Sequence, residues 1–159
     1  MIVVADTTPL NYLVLIHQAD LLPQLFGHVL IPPAVFAELH DPSAPGPDLD
    51  RRSTTVARGP RSPYQSRSHA RLPGLRGAIA LAEQVHADQL LVDESEARRE
   101  AGRRKLPFMG TLGVLRQAAR RGLVDLAATL AGLQATTFYV DPALISYLLE
   151  EEAVRKKWK

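Results

Sequence analysis

The sequence predicts an α/β fold in which a short, mostly parallel central sheet carries helices on both faces. Two observations predict it. Short apolar runs alternate with helix-like stretches along the 159-residue chain, the pattern of strands joined by crossover helices. Two of those runs, residues 1–5 (MIVVA) and 89–92 (QLLV), each end in an aspartate, Asp6 and Asp93, that leads directly into a helix-like stretch. As parallel neighbours the two runs would deliver both carboxylates to the carboxyl edge, where such sheets bind ligands.

The elements follow in chain order. Thr8 and Pro9 supply an N-cap and a first-turn proline, and Leu10, Leu13, Val14 and Ile16 recur at near-helical spacing, so a helix starts just after Asp6. Residues 28–31 (HVLI) form a second strand, and Pro32-Pro33 opens a helix with Val35, Phe36 and Leu39 on one side and Glu38 near its end. Residues 78–85 (AIALAEQV) are helical and precede the strand that ends at Asp93. A charged helix spans 94–104, a fourth strand 106–109, and Thr111 caps a helix that stops at Gly122. Helices over 126–133 and 142–154 complete the chain.

With 46% apolar residues the chain has the material for one core, and a single domain over 1–159 is expected. Its apolar runs are too short to span a bilayer, and no basic leader precedes the first strand, so a soluble, cytoplasmic protein is expected. Zero cysteines exclude disulfides and thiolate metal sites. The net charge of +2 is unevenly spread: residues 51–76 hold seven arginines and no acid, and the chain ends in RKKWK. The stretch over about 41–76, rich in Arg, Pro and Ser, reads as an atypical basic loop. Paired acids without cysteine suit a hard cation held through oxygen. His17, His28 and His86 lack ligand spacing and read as structural.

Four segments in order, VVADTTPLNYL, VLIPPAVFAEL, AIALAEQVHADQLLVDE and LPFMGTLGVLRQAARRGLV, resemble the PIN-domain family, specifically its DUF3368 branch of VapC-like proteins. The resemblance implies a three-layer α/β sandwich and a ribonuclease dependent on Mg2+ or Mn2+, often the toxin of a toxin-antitoxin pair. It further implies that Asp6, Glu38 and Asp93 are catalytic metal ligands, with Thr7, Thr8, Asn11, Glu94 and Thr111 as supporting polar residues. Arg98 and Arg99, on the charged helix, are candidates for binding the nucleic acid. The partners so implied are RNA and a protein antitoxin, and a homodimer is expected because homo-oligomers are common. Taken singly, each residue has a plainer reading: Asp6 as a helix cap, Glu38 as a solvated surface group, Asp93 as favourable charge at a helix N-terminus, Asn11 and Thr111 as structural.

One departure from the family pattern stands out. Before AIALA the branch carries glutamates, typically GExEAIALA, whereas this chain has Gly74-Leu75-Arg76-Gly77. Gly77 therefore stands where an acid is expected, and Arg76 adds a cation. The family pattern resumes abruptly at Ala78, as a shifted reading frame over 48–77 would leave it. Two functions stay open: an RNA-cleaving enzyme, and an impaired relative that only binds RNA or an antitoxin. A phosphatase or nucleotide-binding domain is disfavoured, since neither a G-x-x-x-x-G-K-[ST] loop nor a G-x-G-x-x-G turn is present.

Overall fold

The computed structural model describes residues 1–32, 56–58 and 73–158. Five short strands, β1 (Val3–Ala5), β2 (Val29–Ile31), β3 (Val56–Arg58), β4 (Gln89–Leu91) and β5 (Phe108–Met109), form an all-parallel sheet in the order β3-β2-β1-β4-β5. The connecting helices are α1 (Thr7–Leu15) and α2 (Leu21–Phe26) between β1 and β2, α3 (Pro73–Gln84) before β4, and α4 (Ser95–Arg103) before β5. After β5 come α5 (Thr111–Arg120), α6 (Leu126–Gln134) and α7 (Pro142–Lys157). The fold is α/β, as the alternation of runs predicts.

The chain divides into two compact units, Met1–Thr111 and Leu112–Lys159. In the first, both faces of the sheet are covered. Val4, Leu90 and Val92 point one way and pack with Ala78, Ile79, Leu81 and Ala82 of α3 and with Ala97 and Ala101 of α4. The alternate positions Val3, Ala5, Val29, Ile31 and Leu91 are equally inaccessible, so the opposite face is buried too. Right-handed crossovers explain the layering: the step from β1 to β2 and the return to β4 run in opposite directions, which puts α1–α2 and α3–α4 on opposite faces. Arg104, just past α4, binds α3 through Glu83 at 2.8 Å and its own helix through Glu100 at 2.7 Å.

The second unit is helical. Leu126, Leu130 and Leu133 of α6 and Ile145 and Leu148 of α7 are buried. Arg116 and Arg120 of α5 both pair with Glu151 of α7, and Arg155 reaches back to the Ala119 carbonyl at 3.2 Å.

Several boundaries differ from expectation for identifiable reasons. The first helix is capped by Asp6 rather than Thr8: the Asp6 backbone is extended and its carboxylate accepts the Thr7 N–H. Helix α2, with Asp20 before it and Gly27 in a left-handed conformation after it, has only six residues and no readable periodicity. The expected basic loop holds two regular pieces. Val56–Arg58 pairs in parallel with β2, and α3 starts at Pro73, whose fixed φ suits a first helical position. The expected helix at Pro32-Pro33, with Val35, Phe36, Glu38 and Leu39, lies beyond Pro32 outside the described residues, as does the rest of the 41–76 stretch.

Candidate functional site

The strand order reverses between β1 and β4, and there the two aspartates emerge. Ala5 is level with Leu91, and the Asp6 N–H donates to the Leu91 carbonyl at 3.0 Å, so the ladder continues to the first acid. Val92 is tied to β5 through the Met109 carbonyl at 2.9 Å. Asp93 follows it, one residue beyond the level of Asp6. Both carboxylates thus belong to the carboxyl edge of adjacent central strands, the switch point at which open parallel sheets bind ligands.

Each acid is held in place. Asp6 is buried, with one oxygen accepting the Thr7 N–H at 2.8 Å at the positive end of α1. The Asp93 side chain is 8% exposed and is gripped by one residue: the Thr111 N–H donates to Oδ1 at 2.7 Å and the Thr111 hydroxyl to Oδ2 at 2.6 Å. Asp93 therefore supplies the acceptor for the first N–H of α5, which Thr111, itself the first helical residue, cannot cap as the sequence suggested. A carboxylate oxygen that accepts one such bond keeps a second lone pair for a further partner.

A guanidinium stands beside this pair. Arg98 of α4 donates from Nε to the Val92 carbonyl at 3.2 Å and places Nη2 3.8 Å from Asp93 Oδ1, while remaining 42% exposed. Gly110 makes the seat: a Cβ there would collide with Arg98 Nη2 and lie 2.7 Å from Asp93 Oδ1. Sequence reasoning missed Gly110; the Gly-Thr pair directly after a strand was the available signal.

The other expected residues fall around this centre or away from it. Thr7 and Thr8 are half-buried in the first turn of α1, whereas Asn11 is exposed one turn on. Glu94 is exposed and makes no capping hydrogen bond to α4, and Arg99 faces solvent while Arg98 turns toward Asp93. Glu38 lies outside the described residues. Gly77 is in the early part of α3, where an added Cβ would sit 3.3 Å from the Cβ of Pro32, the residue following β2. That position is also at the carboxyl edge, because a helix leading into β4 runs antiparallel to the strands and begins there. His17 and His86 occupy left-handed backbone positions just past α1 and α3, which accords with a structural reading.

The donors present are oxygens of the kind a hard cation takes. Among the described residues, no group of three or more His, Asp or Glu stands close enough to hold an ion; Asp6 and Asp93 would contribute two carboxylates of such a set.

The DUF3368 family model, a PIN domain, matches residues 2–153. The chain belongs to the PIN-domain family. The match runs through both units and includes Asp6, Asp93, Arg98, Gly110 and Thr111. Comparison with curated proteins and with solved structures gave no match. Among the described residues no helix is long and apolar enough to cross a membrane. Membership in a PIN-domain family suggests a nuclease and an RNA substrate in general terms.

Proposed function

We propose that this protein is a divalent-cation-dependent endoribonuclease that hydrolyses RNA phosphodiesters, with Asp6, Asp93 and Glu38 as ligands of Mg2+ or Mn2+. The observation that carries the reading is the emergence of Asp6 and Asp93 from the ends of adjacent strands at the switch point of a PIN-domain chain. When bound, the cation polarises a phosphate oxygen and lowers the pKa of water. The protein's own groups do the rest. Thr111 fixes the plane of the Asp93 carboxylate through two hydrogen bonds, so little reorganisation is needed on loading. Arg98, half-exposed with its guanidinium beside Asp93, holds a phosphate oxygen of the RNA backbone, and Arg99 adds charge on the outer side of the same helix. Thr7, Thr8, Asn11 and Glu94 line the approach.

A second reading is favoured by two observations: position 77, at the carboxyl edge, carries no side chain, and Arg98 places a cation next to Asp93. Both weaken cation binding, leaving a domain that binds RNA without cutting it. In either case we place the protein in the cytoplasm, as the toxin of a toxin-antitoxin pair with a protein antitoxin as partner; the family resemblance supports this.

The deciding experiment is Mn2+-dependent cleavage of a structured RNA by the purified chain beside Asp6→Asn. Cleavage that falls by orders of magnitude in the variant supports the enzyme. Equal cleavage by both would place any active site elsewhere, and salt-sensitive RNA binding without cleavage would favour the impaired reading.

A further inference from the structure

Phe108 is 41% exposed on β5, an outer strand of the sheet, in the same unit as Asp6 and Asp93. Alternation along the strand puts its side chain on the face shared by Leu106 and Gly110, with Pro107 and Met109 on the other. The two neighbours identify that face. Leu106 packs against the core that α3 and α4 contribute to, and a Cβ on Gly110 would meet Arg98 of α4 and Asp93. The Phe108 ring therefore leaves the sheet about 7 Å from the Gly110 seat, one two-residue step along the strand, on the side where Arg98 stands. Along α4, Arg98 and Gly102 share a face four residues apart, and Lys105 follows, exposed, just past the helix. A Cβ on Gly102 would meet nothing within 4 Å, so the helix surface is bare at the position between the two cations.

A lone exposed phenylalanine is ordinary, but this one adjoins the cation at the switch point. We propose that Phe108 is a base-stacking platform for single-stranded RNA: a nucleotide whose phosphate is held by Arg98 lays its base on the Phe108 ring. The ring offers a π-face that accepts any base, and Arg98 and Lys105 supply positive charge for the phosphates to either side. Glu100, the acid between them on α4, is already engaged by Arg103 and Arg104, which limits its repulsion of the strand. The geometry also selects the substrate class. Bases inside a duplex stack on one another and cannot be laid on a protein ring, so the RNA read here is a single strand, a loop or a bulge. A protein strand added along β5 is the competing occupant, yet two strand residues present few backbone groups to pair with it. Stacking needs the ring alone. The proposal rests on the reading of RNA as the substrate, but not on whether the acids cut it.

The test is fluorescence anisotropy of labelled oligouridine with the full chain, run in EDTA so that nothing is cut. The protein is expected to bind this single strand more tightly than duplex RNA of the same length. A strand with the same sugar-phosphate backbone but no bases is expected to bind roughly 5- to 100-fold more weakly. Phe108→Ala is expected to lose that same factor on oligouridine, to bind the base-free strand as the wild type does, and to keep its circular dichroism spectrum. Its salt dependence stays unchanged because the ring carries no charge, whereas Lys105→Ala lowers the salt slope by about 0.7. Phe108→Tyr and Phe108→Trp keep the platform and the affinity. Comparison of the two strands on the wild type needs no variant, so the proposal is decided even if Phe108→Ala fails to fold. No binding of oligouridine, equal binding of the two strands, or full affinity in Phe108→Ala would overturn it. So would a protein partner that is lost in Phe108→Ala while RNA binding is unmoved. Base-dependent affinity in a chain that shows no Mn2+-dependent cleavage would support the platform and sink only the nuclease reading.

Discussion

Gly110 shows how much of the site depends on an atom that is missing. A methyl group there would have to displace the Arg98 guanidinium and press on the Asp93 carboxylate, which the two Thr111 hydrogen bonds hold fast. Gly110→Ala is therefore expected to lower stability by about 1–3 kcal/mol in chemical denaturation. Gly102, on α4 with nothing within 4 Å of its added Cβ, is the control: Gly102→Ala removes helix-breaking freedom and should stabilise by roughly 0.5–1 kcal/mol. Gly77 is an intermediate case, since among the described residues its added Cβ meets the Pro32 ring, at 3.3 Å. Gly77→Glu should fold and, if this position stands in for the missing acid, bind Mn2+ more tightly in a calorimetric titration; unchanged affinity would refute the correspondence. Asp6 and Asp93 were legible because each ends an apolar run. Their partners were not: that Thr111 grips Asp93 and that Arg98 turns inward depends on contacts across 18 and 5 positions of chain, which no local pattern carries.

At the scale of elements, the helices and strands with strong periodicity or clear punctuation could be read from the sequence, and those without could not. The α6 start at Leu126 and the α7 start at Pro142 agree with the expected positions, because an acidic cap or a first-turn proline announces each. Helix α3 begins five residues before the expected Ala78, since the arginine and glycine content of its first turn masks an apolar face that only later residues complete. Strand β3, three residues inside a basic stretch, is held by its ladder to β2 rather than by its own composition. Capping offers a test at this scale. The Asp141 carboxylate accepts the Ala143 N–H at 2.9 Å, so Asp141→Ala should cost about 1 kcal/mol, read as a lowered melting temperature.

Among the described residues, some ion pairs link one helix to another, as Arg116 to Glu151 and Arg104 to Glu83, and others brace a single helix, as Arg155 to Glu152. In the second unit Arg116 holds the Glu151 carboxyl below the usual glutamate range, and Arg155 does the same for Glu152. The folded state therefore binds fewer protons than the unfolded state as acid is added. The contribution of these pairs is complete above the unfolded glutamate pKa of about 4.3 and is lost as pH falls through the lower folded values. Thermal melts between pH 7 and pH 3 should show that loss, and Glu151→Gln should flatten it. The sheet and its switch point position the feature on which the functional account rests: two carboxylates delivered to the same edge by β1 and β4. Electron paramagnetic resonance of added Mn2+ reads that feature directly. The account predicts that the wild-type chain binds the ion with a stoichiometry that Asp6→Asn and Asp93→Asn each reduce sharply at unchanged helical content; binding that is equal in all three proteins would contradict it.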